Sequence, residues 1–157
     1  MTTVDRLLSS DHIVVGLDVH DKRNALEEAA RMAARRHNID HAPILRALWR
    51  REQIGSTGLG YGIAVPHARI AGLDEPIVLL LRTKRPIVFG APDHQPVSIL
   101  FVILVPEHAN DEHLQILAGV SSMFSNEAFR LRLRAAYEAD AIQRLFVDSL
   151  PGNGEQA

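Results

Sequence analysis

The sequence predicts a single α/β domain in which helices enclose a sheet-forming middle. Three observations carry that reading. Helical periodicity occupies both ends of the 157-residue chain, and two continuous apolar runs, 77–81 and 97–105, lie between them. Runs that stay apolar on successive residues suit strands buried on both faces and covered by helices. The length is that of one ordinary domain with a core of its own.

Taken in order, residues 12–19, HIVVGLDV, hold a β-branched cluster and predict a short strand. Asp21 can cap the helix that follows, in which Leu26, Ala29, Ala30 and Ala33 recur at i, i+3, i+4 and i+7. A second helix is predicted after Asp40. Ile44, Leu45, Leu48 and Trp49 form its apolar stripe, with Arg46, Arg50 and Arg51 around the other side. Residues 55–62, GSTGLGYG, carry four glycines in eight positions and predict a loop. The following 63–65 read as extended, since Pro66 keeps Val65 out of the helical region.

Between the two apolar runs, RPIVFGAPDHQP predicts turns with one short strand. From Asn110 onward the pattern is helical. Leu114, Leu117 and Ala118 form one stripe, widened by Ile116, Val120 and Met123. Phe129 and Leu133 mark a further helix, and Ile142, Leu145, Phe146 and Ser149 the last. The domain is expected to span 1–150, with 151–157, PGNGEQA, as a disordered tail.

Composition excludes several functions. Seventeen Lys+Arg against nineteen Asp+Glu give a formal charge of −2, so no bulk basic field recruits nucleic acid. The chain has no cysteine, which removes disulfides, thiolate chemistry and Cys-based metal sites. Its longest apolar run falls far short of the ~20 residues that span a bilayer. With no apolar signal core in MTTVDRLLSSDH, a cytoplasmic protein without membrane insertion is expected.

Eight histidines need explaining. His12, His20, His37 and His41 sit at predicted element ends among polar residues, and His94 and His108 lie in loops. His67 differs, because it follows a glycine-rich loop, a short apolar strand and a proline in GSTGLGYGIAVPHAR. Glycines let the backbone approach a bulky partner or anion, and Pro66 restricts the turn that presents the imidazole. The competing reading is a strand-end histidine packed beside a tight turn. If Asn110 caps its helix, His113 falls in the first turn, where the helix field favours a neutral imidazole and welcomes an anion. Read otherwise, His113 is simply an exposed first-turn residue. Arg51 closes the helix before the glycine loop and can contact a phosphate, or complement the helix dipole. Ser56 and Thr57 offer hydroxyls and backbone donors, or turn chemistry alone.

Familiar templates fail. The loop lacks the lysine of a P-loop, its glycines do not fit G-x-G-x-x-G, and neither G-x-S-x-G nor H-E-x-x-H occurs. Nothing in the spacing of His67 and His113 supports a metal site.

The stretch 51–69, REQIGSTGLGYGIAVPHAR, resembles the active-site signature of the fructose/mannitol-type enzyme IIA components of the bacterial phosphotransferase system. That pattern runs R-E…S-T-G-x-G-x-G-[IV]-A-[IV]-P-H and ends on the phosphorylated histidine. Downstream, LVPEHANDEHLQILAGVSSMF resembles the second motif, a strand and then a helix whose early histidine faces the first. The likeness spans essentially the whole chain. Within the family it is nearest to the stand-alone nitrogen-regulatory type.

The resemblance implies a mixed parallel and antiparallel sheet with helices on both faces. It also implies His67 as phosphoryl acceptor, His113 as supporting histidine, and Arg51, Ser56 and Thr57 flanking the site. The acceptor nitrogen is expected to be Nε2, with Nδ1 held by a partner that fixes the tautomer. Ala68 stands where the family often has glycine and Arg69 where lysine is frequent, so Arg69 is expected to affect partner contacts. The implied donor is an HPr-like carrier, with no metal, nucleotide or other cofactor. Regulatory targets or an enzyme IIB would follow it. Three functions stay open: a nitrogen-type regulatory phosphocarrier, a sugar-transport enzyme IIA, and a binding module without phosphorylation.

Overall fold

The structure, a computed structural model, describes residues 7–149. A short 3-10 turn, Ser10–His12, leads into β1 (Ile13–Leu17), and then come α1 (Lys22–His37) and α2 (His41–Ile54). Four strands follow the helices: β2 (Gly58–Gly60), β3 (Ile63–Ala64), β4 (His67–Ile70) and the long β5 (Ile77–Ile87). The chain continues through β6 (Val97–Pro106) into α3 (Asp111–Phe124), α4 (Glu127–Ala135) and α5 (Ala139–Ser149). The expected tail, 151–157, lies outside the described residues.

All six strands belong to one mixed sheet in the order β1-β5-β6-β3-β2, with β4 also pairing β6. The β5–β6 pair is antiparallel, whereas β1 on β5, and β3 and β4 on β6, run parallel. Side chains alternate across the two central strands. Val78 and Leu80 with Ile99, Phe101 and Ile103 face α3, α4 and α5. Leu79 and Leu81 with Leu100, Val102 and Leu104 face α1 and α2. This is the expected sheet with helices on both faces, and it explains why 77–81 and 97–105 are apolar at every position but Ser98. On the first face Phe101, Phe124, Phe129 and Phe146 pack with ring centroids 5.1–6.1 Å apart. Truncating any of these buried rings to alanine costs about 3–5 kcal/mol.

Local signals set the helix starts. The Asp21 carboxylate accepts the Asn24 N–H at 2.8 Å, Asn110 accepts that of His113 at 3.0 Å, and Asn126 that of Phe129 at 2.9 Å. Each satisfies a donor that the first turn leaves free.

Four expectations need correction. The glycine segment is not all loop, because β2 forms a hairpin with β3 that turns at Tyr61 and Gly62, both at positive φ. Segment 85–96 holds no separate short strand; β5 continues to Ile87 instead, since its pairing with β6 extends to Ile87 opposite Val97. Rather than sitting in a turn, His67 begins β4, which resumes the pairing that β3 started along β6. Pro66 interrupts that ladder because it has no N–H, yet its carbonyl still accepts from Ile103. Finally, α3 buries Ile116, Val120, Met123 and Phe124, while Leu114 is 43% exposed and Ala118 also faces outward. Two apolar rows adjoin on this helix, and packing against the phenylalanine cluster selects the second.

Candidate functional site

At the level of His67 the sheet ends. β4 pairs with β6 alone, so the strand carrying His67 is an open edge. α2 from one layer and α3 from the other overhang that edge and enclose a cavity of about 440 Å³. His67 and Arg69 from β4, Arg50 and Arg51 from α2, and His113 from α3 all line it. The remaining walls are apolar and include Ile54, Ile103 and Leu117. Among the described residues, no aspartate or glutamate lines it.

The imidazole of His67 is held from both sides. Its Nδ1 lies 2.8 Å from the Val65 carbonyl, which can only accept, so the ring proton sits on Nδ1. Nε2 therefore carries the lone pair and accepts the Nε–H of Arg51 at 3.3 Å. Burial pushes the His67 pKa below the usual histidine value. The Val65 carbonyl opposes this, the Arg51 charge adds to it, and Glu52 weakly opposes it. The result is a half-buried imidazole whose neutral form is favoured and whose tautomer is fixed, with its lone pair on Nε2.

Arg51 is fixed as well. Its Nη1 donates to the Gly55 carbonyl at 2.8 Å, which satisfies the C-terminal end of α2. Arg51 is thus a cation at the helix end, and the same side chain also lines the cavity. Arg69 donates to the Glu107 carbonyl at 3.3 Å and so ties β4 to the loop leading into α3. On α3 the N–H of His113 is taken by the Asn110 cap, so that donor is not free for an anion. The Nδ1 of His113 is buried and has no hydrogen-bond partner among the described residues.

Ser56 and Thr57 stand behind the cavity and do not line it. The Ser56 hydroxyl donates to the Phe89 carbonyl at 3.1 Å and accepts from the Gly58 N–H at 3.0 Å. Thr57 is buried against Glu52, giving its hydroxyl proton at 2.7 Å and its N–H at 3.0 Å to that carboxylate. Lys22 neutralises Glu52 at 2.9 Å. Gly58 is required here, since a Cβ would come 2.8 Å from that of Ala91. Of the other histidines, His12 and His37 bond to each other through Nε2 at 3.0 Å, linking the 3-10 turn to the end of α1. None of His12, His20, His37, His41, His94 or His108 lines the cavity.

Two residues of the site escape the sequence reading. Arg50 is exposed, as its place opposite the apolar stripe implies, but nothing in the sequence shows that it also borders the cavity. Glu52, only 4% exposed, anchors the glycine loop to α2. A signal for Glu52 was available: it continues the buried row Ile44, Leu48 at i+4 and i+8, and a carboxylate there must be paired.

Comparison with known proteins agrees with this arrangement. The sequence model of the family "Phosphoenolpyruvate-dependent sugar phosphotransferase system, EIIA 2" matches residues 6–149. A nitrogen regulatory protein of Pseudomonas aeruginosa is 38% identical over 149 residues, covering 94% of this chain and 97% of that one. Its counterpart in Bradyrhizobium diazoefficiens is 35% identical, covering 87% and 89%. Among solved structures, nitrogen regulatory protein IIA-Ntr from Neisseria meningitidis superposes with a TM-score of 0.87 at 37% identity, covering 92% of this chain and 99% of that one. The mannitol IIA of Escherichia coli, 21% identical, shares the fold with a TM-score of 0.72 over 88% and 97% of the two chains. With its fold and nearly its whole length matched, the chain belongs to the EIIA 2 family of the phosphoenolpyruvate-dependent sugar phosphotransferase system.

Proposed function

We propose that this protein is a histidine phosphocarrier of the nitrogen-regulatory type, which takes a phosphoryl group onto Nε2 of His67 from an HPr-like phosphohistidine protein in the cytoplasm. One observation supports this above the others: Nδ1 is tied to Val65, so Nε2 is the nucleophilic nitrogen, and it points toward a cation in a cavity that no carboxylate lines among the described residues. In transfer, the P–N bond of the donor phosphohistidine breaks as a bond forms between phosphorus and Nε2. The donor imidazole recovers its electron pair, and the proton stays on Nδ1 of His67, hydrogen-bonded to the Val65 carbonyl. The phosphoryl group is loosely held at midpoint, so positioning and positive charge supply the catalysis. Arg51 turns from Nε2 to the phosphoryl oxygens, and His113 supports them from α3. Ser56 and Thr57 act indirectly by fixing the glycine loop, and Arg69 contributes charge at the rim.

Phosphorylation adds about two negative charges where the surface is cationic. That change is the basis on which regulatory targets would tell the two forms apart. The names of the Pseudomonas and Bradyrhizobium relatives favour this role over sugar transport. The test is incubation with phosphoenolpyruvate, its protein kinase and an HPr-like carrier. One acid-labile phosphate is expected, absent in His67→Ala and slowed in a folded His113→Ala. Efficient passage of the label to a fructose- or mannitol-type enzyme IIB would instead favour the transport role.

A further inference from the structure

Glu52 and Thr57, 4% and 5% exposed, lie behind the cavity and do not line it. A carboxylate buried to that degree is costly unless it is paired and hydrogen-bonded. Oε1 of Glu52 accepts the Thr57 hydroxyl at 2.7 Å, and Oε2 accepts the Thr57 N–H at 3.0 Å and Lys22 Nζ at 2.9 Å. An amide does not replace it, because only one of its two terminal atoms accepts. Lys22 is held in turn, with Nζ 4.7 Å from the centre of the Phe89 ring.

From Thr57 the path of hydrogen bonds continues to the nucleophile. Val65 falls between β3 and β4, where Pro66 interrupts the pairing to β6, and its N–H goes to the Thr57 carbonyl at 2.9 Å. The carbonyl of Val65 lies 2.8 Å from Nδ1 of His67. Arg51, the neighbour of Glu52 on α2, donates to Nε2 of the same ring. The last turn of α2 therefore reaches both ring nitrogens, Nε2 directly and Nδ1 through Thr57 and Val65. We propose that Glu52 is a positioning residue for phosphoryl transfer: with Lys22 as its counter-ion, it sets the Val65 carbonyl against Nδ1 and so keeps Nε2 aligned with Arg51. The effect on transfer rests on the phosphocarrier reading, whereas the effect on the ring does not.

Long-range ¹H–¹⁵N spectra of the full chain, taken where the ring is neutral, report the tautomer of His67. Rapid-quench phosphorylation against the concentration of an HPr-like carrier reports transfer. Thr57→Val removes one donor and keeps the Lys22–Glu52 pair, so it is the milder variant; Glu52→Gln is the second. The parent chain should show one tautomer, protonated on Nδ1, and both variants a share of the form protonated on Nε2. Their rate at saturating carrier should fall by roughly ten- to a hundredfold, the scale of an ångström-sized misplacement. The carrier concentration for half the maximal rate should not change, because neither residue lines the cavity where the carrier reaches His67. Thr57→Ser, which keeps both donors, should restore the tautomer and the rate. A parental tautomer or a parental rate in either folded variant would overturn the inference, as would a rate lost only through weaker carrier binding. Should Glu52→Gln not fold, Thr57→Val decides alone. No phosphate on the parent chain would reject the carrier reading and any role in transfer with it, whereas a labelled parent beside equally fast variants rejects only the role of Glu52.

Discussion

The Nε–H of Arg51 donates to Nε2 of His67 across 3.3 Å, the one nitrogen of that ring free to attack. The last turn of α2 and the first residue of β4 thus meet at an open sheet edge. A guanidinium in this place adds to the effect of burial in disfavouring the charged imidazole, and in the proposed reaction it would neutralise the charge of the arriving phosphoryl group.

Replacing Arg51 by glutamine should therefore act mainly on rate. Removing one preorganised donor to a developing anion costs typically 10²–10³-fold, and the phosphorylation rate of Arg51→Gln should fall by about that factor in a rapid-quench assay. Stability should fall by no more than about 1 kcal/mol, for the lost bond to the Gly55 carbonyl. An undiminished rate would remove Arg51 from the chemistry.

A second prediction concerns pH. Burial, with the Arg51 charge, holds the folded His67 pKa below its unfolded value. The unfolded chain then binds the extra proton first, so His67 adds stability above the unfolded value of about 6.5. That contribution is lost as pH falls through the lower folded value. An NMR titration should place the His67 midpoint below 6.5, and Arg51→Gln should move it upward. His67→Gln should flatten the fall in stability over the same window.

Glu52 supplies the third. Its carboxylate receives Lys22 and both donors of Thr57. Lys22 keeps 23% exposure and can return to water, so Glu52→Gln should cost less than the 3–5 kcal/mol of a fully buried pair, about 2–3 kcal/mol in urea unfolding. Thr57→Val should cost less, because it leaves the ion pair in place. Equal stability of Glu52→Gln and the parent chain would show that the loop is anchored elsewhere.

What could be read from the sequence was local or strongly repeated. Asp21 and Asn110 cap their helices because the contact spans three residues, and 77–81 and 97–105 announce a doubly covered sheet by being apolar at every position but Ser98. Other features depend on distant partners. β2 exists only because Gly58–Gly60 finds 63–64 across a hairpin. Leu114 and Ile116 are equally apolar, and only the phenylalanine cluster decides which is buried. The cavity is the clearest case. It joins β4, α2 and α3, and its position follows from strand order, which no local pattern encodes.

The central claim is that Nε2 of His67 receives the phosphoryl group while Nδ1 keeps its proton against Val65. Long-range ¹H–¹⁵N and ³¹P spectra of the phosphorylated protein test it directly. The account predicts one phosphohistidine, at position 67, with phosphorus bonded to Nε2 and a protonated Nδ1. A phosphate on Nδ1 of that ring, or on any other histidine, would contradict it.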